Sequence, residues 1–444
     1  MKKLIAFALL ASATLSIHAQ GTINDYKRAF STGTRHSWKM TNGSINVHRS
    51  FNGPKDQFIY STYNGDSTVW YKVDAKTGAK ELTTNPELNR RRGNRGGTSG
   101  DGYHHWMEVR DEKDGRAESP VNKGSFIIHK ENNLYLQKGN DTANAVQVTT
   151  DGVDTCYYSS WGRWSKDGKY YATVLIKPAP KHYVTYTQSS PANQVQPIYT
   201  QLEYAKPGDS LNYRIPVVVD VEAKKTIYPK STALFASQYE VTAPSWDDNG
   251  KTLTFEFNER GHKTYRVLEM DLEGNVRTLI EEKNDKYVAY SRNYRRDLDE
   301  NHILWKSDRD GHAHLYLYDR KKGKLTQLTK GDYWVREVQD AQIDEKGKGF
   351  IIFSANGRNC KNMGKVTSSF DGKIPEEDPY NIHYYRIGLD GKNFVELTPE
   401  RGNHEATFSR SCETSFIDTY STIDQAPVTV LRSSIDGHII STLE

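Results

Sequence analysis

The feature that most narrows the folding choices of this chain is a two-part motif that keeps returning along it. One part is an Asp-Gly or similar turn followed by an apolar strand. Trp164-Ser165-Lys166-Asp167-Gly168-Lys169 leads into Tyr170-Tyr171-Ala172, Ser245-Trp246-Asp247-Asp248-Asn249-Gly250-Lys251 leads into Leu253-Thr254-Phe255, and Asp344-Glu345-Lys346-Gly347-Lys348-Gly349 leads into Phe350-Ile351-Ile352-Phe353. The other part is an aromatic strand, a turn and a strand ending in Leu-Thr. Trp70-Tyr71-Lys72-Val73-Asp74 precedes Leu82-Thr83, Leu315-Tyr316-Leu317-Tyr318-Asp319 precedes Leu328-Thr329, and Tyr384-Tyr385-Arg386-Ile387 precedes Leu397-Thr398. Short β-branched and aromatic runs cut by Gly-containing turns are strands. The stretch 287–299 is too polar to bury a helical stripe.

A strand-rich unit of roughly 40–60 residues that recurs is the signature of a β-propeller, because a four-stranded sheet cannot bury both faces alone and its neighbours must cover them. The fold expected is therefore all-β: a propeller of four-stranded antiparallel blades. At roughly 50 residues per blade the mature chain holds seven or eight. A sandwich would not explain the paired Asp-Gly and Leu-Thr beats. No linker divides the chain after residue 20, so 20–444 reads as one domain.

Composition agrees with this and excludes other classes. Hydrophobic residues are 36% of the 444, yet 28 Tyr and 8 Trp supply rings that a disordered chain would lack. Lys and Arg number 60 against 56 Asp and Glu, which is not the basic balance of a nucleic-acid binder. Lys2 and Lys3, an apolar stretch from Leu4 to Ile17 and the small Ala19 make residues 1–19 a signal peptide, too short to span stably as a helix. The expected location is outside the inner membrane, periplasmic or extracellular, with no membrane span after cleavage. Cys156, Cys360 and Cys412 fit no zinc spacing, and an odd count leaves at least one thiol unpaired.

Chemistry-bearing motifs are sparse. Gly97-Thr98-Ser99-Gly100-Asp101 has the wrong spacing for a nucleophile elbow, and no P-loop or His-Glu-x-x-His occurs. His104-His105 and His312-x-His314 are pairs without further ligands, and alternation would put His312 and His314 on one face of a strand. Glu376-Glu377 precedes Asp378-Pro379 in a turn-like segment. The run 89–97 is basic and glycine-rich and reads as a surface loop, while Ser189 to Asn212, broken by Pro191, Pro197 and Pro207, reads as a long excursion between blades. No catalytic residue, metal ligand or cofactor site is assigned.

Several strings, in order, resemble the N-terminal propeller of bacterial dipeptidyl peptidase IV-type serine peptidases of the prolyl oligopeptidase family. They are Ser189-Ser190-Pro191-Ala192-Asn193-Gln194-Val195-Gln196-Pro197 with Glu203-Tyr204-Ala205-Lys206-Pro207-Gly208-Asp209, then Ser307-Asp308-Arg309-Asp310-Gly311-His312, then Glu400-Arg401-Gly402-Asn403-His404 and Pro427-Val428-Thr429-Val430-Leu431. The resemblance implies eight blades, with seven the alternative, over an α/β-hydrolase domain whose Ser, Asp and His follow the propeller in the chain. The propeller would gate access so that short peptides or free chain ends reach the serine. The chain ends at Glu444, about where that hydrolase would begin, so the catalytic domain is expected to be absent from it. The partner is then a peptide substrate or a separate α/β-hydrolase. The rival function is an exported propeller that binds peptides or a protein without catalysis.

The resemblance also implies, from family members of the animal type, a glutamate pair just before the Trp-Ser strand that grips the substrate amino terminus. The matching stretch 151–158 has no such pair, and Asp154 is the acid nearest the position, where a turn role competes. The polypeptide 20–444 alone is expected not to hydrolyse Xaa-Pro or Xaa-Ala chromogenic dipeptides above buffer. Turnover that survives purification to homogeneity and is blocked by a serine-directed covalent inhibitor would overturn that expectation.

Overall fold

The computed structural model describes residues 22–24, 26–27, 45–47, 55–63, 67–84, 116–358, 367–368, 378–409 and 412–444. The signal-peptide stretch, the basic loop at 89–97, Gly97 to Asp101, His104-His105, Cys360, Glu376-Glu377 and the Cys412 side chain lie outside what is described. Within it, helix is confined to residues 23–24 and 26–27 and two short 3-10 turns, Ala233–Phe235 and Tyr290–Arg292. No helix among the described residues is long and apolar enough to cross a membrane.

The remaining structure is antiparallel sheet. Seven sheets of four or five strands follow one another among the described residues, spanning 46–83, 116–147, 157–227, 238–283, 294–327, 334–396 and 403–442. In each, strands adjacent in sequence pair as a meander. Three variations occur. In the fourth sheet Gln238–Val241 and Ser245–Trp246 both pair with Thr252–Glu259. In the sixth sheet Thr367–Ser368 pairs parallel to Val395–Glu396. In the third sheet a separate hairpin, Tyr183–Gln188 with Ile198–Glu203, interrupts the connection between Tyr170–Lys177 and Tyr213–Asp220. The Pro-rich excursion therefore lies inside one sheet rather than between two, and its segment Ile198–Glu203 is a strand paired with the residues just before the excursion. Its prolines fall outside the paired strands, where no ladder hydrogen bond is lost.

The recurring motif has a physical cause at both ends. Thr149, Thr329 and Thr398 of the Leu-Thr-type beats are buried, and each hydroxyl accepts the backbone N–H that opens a strand in the same sheet: Leu134 at 2.9 Å, Leu315 at 2.9 Å and Tyr384 at 2.8 Å. The preceding apolar residue closes the turn through its own N–H, as in Leu328 to Leu315 O at 2.8 Å and Leu397 to Tyr384 O at 2.8 Å. A polar side chain just before the capped strand completes the latch. Asn133 accepts from the Thr149 hydroxyl at 3.1 Å, His314 Nδ1 bonds the Thr329 hydroxyl at 3.1 Å, and His383 Nδ1 bonds the Thr398 carbonyl at 2.8 Å. Leu82-Thr83 copies the letters without the latch: it lies within a paired strand, and Leu82 is exposed.

At the other end, the Trp of the Trp-Ser beat ties its sheet to the one before. Trp164 Nε1 donates to Ala117 O and Trp246 Nε1 to Arg163 O, both at 3.0 Å. The Asp of the turn then folds back on the chain; Asp344 Oδ1 accepts from Lys346 N at 2.9 Å and Lys348 N at 2.8 Å. Gly347 holds φ +74°, the left-handed conformation that makes glycine the natural occupant.

The chain divides into two compact units. In the unit of residues 98–351 and 388–392, sheet faces pack on sheet faces. Ile127 and Leu134 meet Tyr171 and Val217, Val218 meets Phe255 and Leu268, and Val267 meets Ile303 and Trp305. Charge also crosses between these sheets. Arg320, buried at the end of a strand in the fifth sheet, pairs with Glu269 at 2.6 Å and Asp247 at 3.0 Å, both buried in the fourth.

In the unit of residues 1–97, 352–387 and 393–444, the first and last sheets share a core of Phe58, Tyr60 and Val73 against Ile417, Leu431 and Leu443. Tyr60 also donates to Leu443 O at 3.3 Å. The same unit buries a chain of charges. His404 Nδ1 lies 2.9 Å from Asp418 and its Nε2 3.0 Å from Glu400 O, while Arg432 Nε lies 2.8 Å from Asp418 and the same guanidinium also pairs with the Glu400 carboxylate. Burial drives the Asp418 carboxyl up, but His404 and Arg432 outweigh it and leave the group below its ordinary value.

Two outcomes follow from these networks. Arg320→Ala takes the paired cation from buried Asp247, which keeps the Thr252 and Thr254 hydroxyls, and one of two from Glu269, which keeps Arg277 at 2.6 Å, and should cost about 3 kcal/mol in urea unfolding, whereas Arg320→Met combined with neutral replacements of Asp247 and Glu269 should recover much of the loss. For Asp418 the folded value is depressed, so its stabilisation is present above the ordinary carboxylate range and is lost as pH falls through the folded value. The stability gap between wild type and Asp418→Asn should therefore be widest near neutrality and close on acidification; a gap independent of pH would contradict the assignment.

Candidate functional site

A polar cavity among the described residues opens where strands of the fifth and sixth sheets begin and end. Its volume is about 240 Å3, and it is lined by Ser291, Arg292, Lys306, Asp308, Ala313, Trp334, Val335, Arg336 and Glu337, all in the 98–351 unit. Local folding puts them there. Tyr290–Arg292 is a one-turn 3-10 segment feeding the strand Tyr294–Asp297, which pairs antiparallel with His302–Ser307. Arg292 thus lies beside the end of the second strand, where Lys306 and Asp308 sit, and the chain re-enters at His314–Asp319 just after Ala313.

Charge in this cavity is unevenly satisfied. Lys306 is buried, and its Nζ donates to the carbonyl of Arg336 at 2.8 Å. Asp308 Oδ1 is buried and has no hydrogen-bond partner. Neither Arg292 nor Arg336 forms an ion pair with a carboxylate among the described residues. Burial lowers the Lys306 ammonium from its ordinary range, against the pull of Asp308. Burial likewise raises the Asp308 carboxyl, although Arg292 and Lys306 oppose it. Both charged forms are therefore held at a cost.

Beside the cavity stands a cluster of rings. His262, with φ +56°, stacks on Tyr290 at 4.7 Å and meets Tyr239 edge-on at 4.5 Å and Tyr287 at 5.8 Å. Burial among these rings lowers the His262 imidazole from its ordinary value. Tyr290 thus belongs to the ring cluster while the next two residues line the cavity. Sequence reading missed both features. A polar run at 287–299 gives no periodic signal, and only pairing of strands distant in the chain collects its side chains beside Lys306 and Trp334.

The residues singled out from sequence fall elsewhere. Asp154 is exposed at the tip of a tight turn closed by the bridge between Val153 and Cys156, and its Oδ1 accepts from Asn132 Nδ2 at 2.7 Å. Next to it, Asp151 accepts from the Tyr158 hydroxyl at 2.8 Å and from that of Tyr228. His312 precedes the strand that begins at His314, so the two do not alternate within one strand, and their rings are 6.2 Å apart. Both His314 nitrogens are engaged, with the Thr329 hydroxyl at 3.1 Å and Gly331 O at 3.0 Å, which leaves that ring no lone pair for a metal without breaking the strand latch. Cys156 is a half-buried free thiol raised by burial, the opposite of an activated nucleophile.

Asp308 yields a pH test. Its folded value is raised, so the folded chain binds more protons than the unfolded chain just above the ordinary carboxylate value, and the group's charge destabilises as pH rises through that window. Asp308→Asn should leave stability unchanged below pH ~3 and equal or exceed wild type at pH ~7 in urea unfolding. A variant less stable than wild type only at neutral pH would reverse the assignment.

Two solved structures illustrate the similarity of this chain to others. One is the dipeptidyl peptidase 4 of Porphyromonas gingivalis, 16% identical, with a TM-score of 0.49 over 88% of this chain and 51% of that one. The other is a provisionally assigned dipeptidyl aminopeptidase IV of Bacteroides ovatus, 16% identical, with a TM-score of 0.47 over 90% of this chain and 60% of that one. The chain thus spans less than two-thirds of either. The family rests on sequence instead: residues 110–427, well over half of the 444, match the dipeptidyl peptidase IV N-terminal region. With that match and its succession of antiparallel four-stranded sheets, the chain belongs to the dipeptidyl peptidase IV N-terminal region family and has that family's β-propeller fold.

Proposed function

We propose that this chain is the substrate-gating propeller of an exported serine-type dipeptidyl peptidase that acts on short or proline-containing peptides, with chemistry supplied by an α/β-hydrolase partner, as a domain or as a separate chain. The observation that carries this reading is the family match over residues 110–427. Residues 1–19 direct export, and 20–444 form one propeller of eight blades.

The loops support a gating role. The turn 151–156, the hairpin Tyr183–Glu203 and the segment 287–292 all enter or leave their sheets at the same strand ends, those where each first strand begins and each second strand finishes. A meander of antiparallel strands returns to the same edge every second connection, so insertions there accumulate on one side of each sheet. Function on repeat scaffolds concentrates in such loops. Asp154, at that end, is the acid closest to the position from which related propellers hold a substrate amino terminus.

The experiment pairs the chain with an α/β-hydrolase domain of dipeptidyl peptidase IV type and measures cleavage of Ala-Pro chromogenic substrate and of a folded protein. The expected result is that the propeller leaves dipeptide release intact and suppresses attack on the long chain, while each part alone lacks that combination. Equal cleavage of long and short substrates with and without the propeller would defeat the gating role. Retention of the protein in the cytoplasm after fractionation would defeat export.

A further inference from the structure

The cavity at Asp308 makes two opposite demands within one small volume. Asp308 Oδ1, buried and unbonded, needs a hydrogen-bond donor. Lys306 is buried with a neutral carbonyl as its bonded partner, and Arg292 and Arg336, exposed at the rim and without carboxylate partners among the described residues, can turn to a negative charge placed beside it. A phosphate or other anion would answer the cations but stand against Asp308 and Glu337. A metal cation would answer Asp308 but stand among three positive side chains. A single water could bridge neutral groups yet would leave the charge uncompensated. A ligand that carries an ammonium and a carboxylate a few bonds apart meets both demands.

The size agrees. About 240 Å3 lies below the ~300–1,000 Å3 of sites for drug-sized molecules and suits one or two amino-acid residues. Val335 and Ala313 give an apolar wall, and the half-exposed indole of Trp334, held edge-on by His312 at 4.3 Å, offers a flat surface for a side chain or a prolyl ring.

We propose that this cavity binds a dipeptide-sized zwitterion, with Asp308 taking the α-ammonium and Lys306, Arg292 and Arg336 taking the carboxylate. The site is distinct from the turn at Asp154 and requires no catalysis. The choice of a dipeptide as occupant rests on the peptidase reading above, since dipeptides are what such an enzyme releases; the demand for a zwitterion does not. On that reading the propeller retains product, or senses it, at a place of its own.

The test is isothermal titration of the full chain with the dipeptide Ala-Pro, its N-acetyl form and its C-terminal amide. Ala-Pro should bind, and blocking either end should weaken binding by about tenfold or more, the scale of a lost charge-assisted hydrogen bond. Asp308→Asn should mimic the N-acetyl loss and Arg336→Ala the amide loss, each with an unchanged far-UV spectrum. Equal binding of free and blocked peptides, or no binding at millimolar concentration, overturns the proposal. So does an affinity lost in Asp154→Asn and kept in Asp308→Asn. A chain that binds free alanine as tightly as Ala-Pro, and blocked alanine weakly, keeps the zwitterion site and removes the link to a dipeptidyl peptidase, so failure of the two readings can be told apart.

Discussion

A stack of antiparallel sheets buried on both faces can exist only if the backbone groups at the strand ends, which the ladders do not reach, are satisfied from elsewhere. Here the threonine latch does that work. Thr149, Thr329 and Thr398 each place a buried hydroxyl on the N–H that opens a strand, and Asn133, His314 and His383 complete the closure. An unsatisfied buried amide costs about 1–3 kcal/mol, so a fold that repeats the same strand end along its length repeats the same solution. The tryptophans at the opposite end solve the companion problem by spending their one donor on a carbonyl of the preceding sheet, which fixes how neighbouring faces meet.

Charge is used with equal economy and to two different effects. The Arg320 and Arg432 networks pair each buried acid with cations and hydrogen-bond donors; the first ties the fifth sheet to the fourth, and the second clasps strands within the last sheet. The cavity at Asp308 breaks that pattern. Its charges are close enough to shift one another and too poorly paired to satisfy one another. Departures of this kind, where a fold leaves a buried polar atom unanswered, are where binding sites arise. Arg320 and Arg295 also leave their Nε without a partner, but each guanidinium is paired to carboxylates through its other nitrogens, whereas no donor among the described residues reaches Asp308 Oδ1 within hydrogen-bond distance.

The histidines show how letters mislead when read without geometry. His312 and His314 look like a ligand pair, but one precedes the strand and the other spends both nitrogens on the latch. Leu82-Thr83 matches the repeat and does not perform it. The run through Pro191 and Pro197 reads as irregular, yet six residues on either side of it pair as a hairpin, because prolines at a tip remove no ladder donors. In each case the local string is compatible with two structures, and the partner across the sheet selects one.

The sequence by itself determined the all-β class, the recurring turn–strand unit, the residues at each turn and the family, because these depend on periodicity, turn chemistry and a collinear order of strings that a single chain displays. It could not supply the cavity. Arg292, Lys306, Asp308, Trp334 and Arg336 belong to three separate segments of unremarkable composition, and their meeting depends on which strand ends coincide once two sheets have formed. Nor could it say that Asp308 would lack a partner while Asp418 would have two. Whether a carboxylate is paired is decided by side chains brought from other strands, and only the tertiary structure sets that distance.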